Sequence, residues 1–167
     1  MSIKRFSENY AAYNLWVSRQ LIDWLNTKSD EQINEAVPSS YPGILNTLKH
    51  CVETEKYWYS MMSSSQTHET SQDISVMNKD ELFKLMLDNA RALNDYIYSL
   101  TEQELNMDVK VSNQWFESIL PRYEYLVHAI NHNTYHRGQV VTMGRNTGIT
   151  DAPMTDYNYF NVVKAGK

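Results

Sequence analysis

The sequence predicts an all-α protein, a bundle of four long helices. Two observations carry that expectation. Apolar and aromatic residues recur at three-to-four spacing over four separate stretches, the period of one helix face rather than of a strand. The four stretches are also of similar length, and helices of about 20 to 25 residues span about 30 to 37 Å, so they can lie side by side. With 167 residues, no internal repeat and no second hydrophobic block, residues 1–167 read as a single domain that can bury its own core.

The first segment, Ser2 to Leu25, places Phe6, Tyr10, Tyr13, Trp16 and the Leu21, Ile22, Leu25 group on helical spacing, and a polar connection follows over Asn26 to Ala36. The second helix opens near Pro42, whose missing N–H costs nothing in a first turn, with Ser39 or Ser40 as cap, and ends in the serine run 63–65. The third has the clearest start: Asn78 as cap, Glu81 at the third helical position, then Leu82, Leu85, Met86, Ala90 and Leu93 on one stripe toward Leu100. Residues 101–120 are less periodic, and "MDVKVSNQW" fits either a short extended pair or an ordered loop. The fourth helix runs from near Pro121 to about Arg145, where "GRNTG" tolerates a left-handed terminus. The aromatic tail, 151–167, is expected to pack on the bundle or on a partner subunit.

Composition narrows the function classes. Fifteen basic residues stand against twenty acidic ones, a net charge of −5, with no dense basic patch, which argues against a nucleic-acid backbone as partner. No apolar run reaches the length of a membrane helix, the N-terminus lacks a long apolar signal region, and the lone Cys51 has no internal disulfide partner; the expectation is a cytoplasmic protein off the membrane.

Three of the five histidines fall in "HAINHNTYHRGQ", at a spacing of four. On a helix His132 and His136 stand about 40° apart and one turn along, so both imidazoles can point at one ion. Tyr125, His128, Ala129, Gln139, Val140 and Met143 share that face; polar groups on an inward face need a partner, and a metal would satisfy two of them at once. A third ligand must come from elsewhere. His50, in the middle of the second helix, is the candidate, and the pattern alone leaves it either a ligand at a helix seam or a surface histidine. His68 lies in the Ser/Thr-rich connection instead. His128 could be a fourth ligand, a group behind the ligands, or a proton-transfer residue, and is placed outside the ligand set because three nitrogens plus water describe a reactive ion better than a closed structural one.

The strings "NHNTYHRGQVVTMGRNTG", "TDYNYF" and, upstream, "YPGILNTLKHCVETEKYW" resemble the DinB family of the wider DinB/YfiT-like superfamily, from "YAAYNLW" in the first helix to the tail. The resemblance implies a four-helix bundle with long crossover connections, and a divalent metal held by three histidines, which fall on His50, His132 and His136. It also implies a homodimer in many members. Superfamily relatives include S-transferases that use low-molecular-weight thiols and a thiol-dependent isomerase. Induction by DNA damage, from which the family takes its name, would be regulation and not DNA binding.

An ion with three imidazoles and an open position can bring a bound water or thiol toward neutral pKa. The leading expectation is therefore a metal-dependent enzyme that transfers a low-molecular-weight thiol to a small electrophilic substrate. The alternatives are a metal-dependent hydrolase and a non-catalytic protein whose metal holds two helices together. Glu53, one turn from His50, and His128 are the candidate catalytic bases; Tyr57, nearly two turns from His50 on the same side, is the candidate ligand-binding hydroxyl. Glu55, about 140° around the helix from His50, reads as a solvent or interhelix salt-bridge residue, Cys51 as structural, and Arg137 as an anchor for a carboxylate or a partner. Imidazole accepts zinc and nickel alike, so the ion is either. A second apolar stripe, Val127, Ile130, Thr134 and Val141, favours a twofold dimer.

Overall fold

A computed structural model describes residues 2–64 and 73–166, so His68 and the end of the serine run lie outside the described residues. Helix α1, Ile3–Asn26, is capped by the Ser2 hydroxyl, which accepts from the Arg5 amide. The polar connection contains a short helix, α2, Asp30–Asn34, closed by a reciprocal Ser29–Gln32 capping box and anchored by buried Ile33. Helix α3, Ile44–Ser63, begins two residues after Pro42, with Gly43 and not a serine at the cap. Helix α4, Lys79–Ser99, carries the predicted Asn78–Glu81 capping box.

A further short helix, α5, Glu102–Leu105, leads into the segment that sequence left open. It is an antiparallel pair, β1 Asp108–Ser112 and β2 Glu117–Pro121, with Val111 opposite Ser118. Only Val111 is buried on β1, so the alternation has one strong inward position, which is why the sequence signal is faint. The Tyr125 hydroxyl ties the hairpin to the next helix by donating to Val109 O (3.1 Å) and pairing with Ser118 Oγ (2.8 Å). Helix α6, Arg122–Asn146, follows β2 directly.

Helices α1 and α3 each pack along both α4 and α6. The apolar interior falls into two clusters at opposite ends of this packing. One gathers Leu21, Leu25, Ile44, Leu48, Leu82 and Met143; the other gathers Ala11, Val17, Trp58, Leu93, Ile97 and Leu126. Between them, on α1, α3 and α6 alike, lies a buried polar layer: Asn14, Ser18, Glu55, Asn133 and Arg137. The last helix, α7, Tyr157–Ala165, lies on α1. Phe160 is buried beside Tyr13 and Trp16, and the Asn9 amide donates to Tyr157 and Asn161 at 2.8 Å each. Among the described residues no helix is long and apolar enough to cross a membrane.

Candidate metal centre

Helices α3 and α6 bring three imidazoles together. One ring nitrogen from each of His50, His132 and His136 lies within 4.8 Å of the others, and among the described residues these three form the group. His50 Nε2 and His132 Nε2 are 3.0 Å apart. Two nitrogens bound to one tetrahedral ion at about 2.0–2.1 Å stand about 3.4 Å apart, close to the spacing of this His50–His132 pair.

The chemistry of the rings fits the same use. Burial, followed by the neighbouring imidazoles, pushes the His132 pKa down to about 4. Burial and the nearby His136 lower that of His50 as well. Both are neutral at pH 7, and only a neutral imidazole offers a lone pair to a metal. The Gln139 amide donates to the Tyr135 hydroxyl (3.1 Å), and its Oε1 accepts from His136 Nδ1–H (2.7 Å), which leaves Nε2 as the free donor atom of that ring.

A family model, that of the DinB family, matches residues 1–163. The chain belongs to the DinB family. It is also 27% identical over 160 residues to Protein DinB of Bacillus subtilis (strain 168), covering 89% of each chain. The three-histidine cluster of this DinB chain is the one that the second- and fourth-helix motifs imply.

Sequence reasoning did not find the aromatic support behind the DinB histidines. Tyr41 stacks on His50 with ring centres 3.9 Å apart and an interplanar angle of 15°, and its ring also meets His136 edge-on at 5.8 Å. Tyr41 is delivered there by a tight turn. Gly43 has φ +86°, and a Cβ at that position would stand 2.8 Å from the Glu35 carbonyl oxygen, so only glycine fits. The Thr47 hydroxyl then donates to the carbonyls of Tyr41 (3.0 Å) and Gly43 (2.9 Å). "YPG" is a turn signal, but nothing in it says which ring the tyrosine will cover.

The remaining candidates divide. His128 is exposed, with its ring 6.3 Å from that of His132 and edge-on to Trp58 at 4.5 Å, beside the cluster and outside it. Tyr57 is half-buried, and its hydroxyl accepts from Asn113 Nδ2 of the hairpin at 3.1 Å. Glu53 is exposed, and the α3 residue that reaches His50 Nε2 is Thr54, whose hydroxyl lies 3.5 Å away. The expectation for Glu55 needs correction: it is 5% exposed and accepts hydrogen bonds from Asn14 and Asn133. Burial pushes its pKa up to about 7, against the opposing pull of the Asn14 bond, Arg137 and the Asn133 bond. Cys51 is buried and its thiol pKa pushed up to about 12 by burial, so it stays protonated and unreactive.

Proposed function

We propose that the chain is a metal-dependent enzyme in which His50, His132 and His136 hold a divalent ion, zinc or nickel, for the transfer of a low-molecular-weight thiol to a small electrophilic substrate. The observation that carries this reading is the cluster itself: three imidazoles from two helices, their ring nitrogens within 4.8 Å of one another. A divalent ion there supplies Lewis acidity that brings a thiol or a water toward neutral pKa. Gln139 fixes the His136 tautomer and Tyr41 holds the His50 ring plane. His128, beside the cluster and open to solvent, takes the thiol proton; the sulfur forms its bond to the electrophilic carbon as the leaving group departs with its bonding pair. Tyr57, held by Asn113, donates its hydroxyl to the substrate. Exposed Glu53 has no part in this scheme.

The test is a transfer assay on the zinc- and nickel-loaded protein, with 2-mercaptoethanol as thiol and 1-chloro-2,4-dinitrobenzene as electrophile. Thioether formation above the metal-free background, lost in His132→Ala and reduced about 10² to 10⁴-fold in His128→Ala, is expected. Equal rates in wild type and His132→Ala would exclude transfer at this site and leave the hydrolase and the structural metal as readings.

The same proposal covers the architecture: α1, α3, α4 and α6 are read as the four members of a bundle with long crossover connections. Of the second apolar stripe on α6, Ile130 is buried in the chain's own core and offers nothing to a partner; the partly buried Val127 and Val141, with exposed Thr134, are left as the face for a second copy of the chain.

A further inference from the structure

We infer that Glu55 is a positioning residue for the histidine site: its buried carboxylate clasps α1 and α6 to α3 and sets the rotation at which α6 presents His132 and His136 to His50. This rests on the reading of the three imidazoles as one metal-binding group.

Glu55 Oε2 accepts from Asn14 Nδ2 of α1 and from Asn133 Nδ2 of α6, each at 2.8 Å. All three residues are buried, at 5%, 1% and 7% exposure, and Arg137, also of α6, is 5% exposed and lines the same small cavity as Glu55. Arg137 is itself held, donating to the Tyr13 hydroxyl (3.1 Å) and Thr134 Oγ1 (2.5 Å). The side-chain amide oxygens of Asn14 and Asn133 have no protein partner. The clasp to the carboxylate is thus the bond that orients both amides.

The placement on α6 gives the clasp its consequence. Asn133 directly follows His132 and Arg137 directly follows His136, and neighbouring residues on a helix point about 100° apart. Helix α6 therefore meets α3 in two directions at one level, with imidazoles toward His50 and polar groups toward Glu55. A free helix could roll. With side-chain tips about 5–6 Å from the axis, a roll of 20° carries each imidazole about 2 Å, whereas a metal bond tolerates about 0.2 Å.

Stability does not explain the layer. It interrupts two apolar clusters, and burying a charged group carries a desolvation cost that its partners must offset. Apolar side chains of similar volume would join the helices as well, but without a directional bond to fix their rotation.

Zinc affinity, measured by competition with a chromogenic chelator on the full chain, separates positioning from plain stability. The variants are Glu55→Ala, Glu55→Gln and, as a control for lost stability, Leu93→Ala, which opens a cavity in the apolar cluster of Trp58 and Ile97. Glu55→Ala is expected to weaken zinc binding about 10 to 100-fold and to shift the visible absorption of the cobalt-loaded protein. Glu55→Gln keeps an acceptor for both amides and is expected to bind within about threefold of wild type, as is Leu93→Ala despite its lower melting temperature. Should Glu55→Ala not fold, Asn133→Ala serves in its place, since it breaks the α6 half of the clasp and leaves the Asn14 half intact. Wild-type affinity and an unchanged cobalt spectrum in the alanine variant would overturn the inference, as would an equal loss in Leu93→Ala. A wild-type chain that binds no zinc would instead overturn the metal reading, and this inference with it.

Discussion

His132 shows how much a single ring is bent by its surroundings. Its pKa of about 4 lies below the ordinary 6.5, first because burial disfavours the cation and then because His136 and His50 stand close. In the metal-free protein the unfolded chain therefore binds a proton between these values that the folded chain refuses, so folding stability falls as pH drops from about 6.5 toward 4. Urea titrations should show this decline, with a shallower slope in His132→Gln. Glu55 acts with the opposite sign. Its folded pKa of about 7 exceeds the ordinary 4.5, so its contribution is fully present below 4.5 and is lost as pH rises through 7. Glu55→Gln should accordingly gain stability relative to wild type between pH 4.5 and 8; no change in that difference would mean that Glu55 titrates normally. The histidines were legible because spacing on one helix fixes their relative direction. Glu55 was not, because its direction, 140° from His50, says nothing about what α1 places there.

The elements were readable where local chemistry decides them. The Asn78–Glu81 box that opens α4 depends on residues three apart, and Asn78→Ala should cost about 1 kcal/mol in a denaturant melt. The start of α3 was harder: Pro42 is compatible with a first turn, but the close approach of Gly43 to Glu35 moves the boundary past it. Gly43→Ala must accept a positive φ and a backbone clash together, and is expected to lose about 1–3 kcal/mol. Because Tyr41 leaves this same turn to cover His50, the variant should also bind zinc more weakly. The hairpin was legible only as one of two readings, an extended pair or an ordered loop, for a different reason. Its register is set by Tyr125 bonding back to Val109 and Ser118, which no window of β-propensity contains.

At the scale of the molecule, periodicity gives each helix an inward face and does not name the neighbour that face meets. That α1 and α3 both pack along α4 and α6 is a feature of the tertiary structure that no single helix's pattern contains. The face of Val127, Thr134 and Val141 bears on assembly. Light scattering coupled to size exclusion should return twice the 19.5 kDa of one chain, and Val141→Glu should return the single-chain mass; a monomeric wild type would refute the dimer while leaving the histidine site untouched.

Counting ions decides whether His50, His132 and His136 form one metal site. Elemental analysis of untagged protein after metal reconstitution is predicted to give about one ion per chain, and none in His50→Ala or His132→Ala, with both variants still melting cooperatively. A wild-type chain that retains no ion, or alanine variants that retain it, would show that the three histidines are not one metal site.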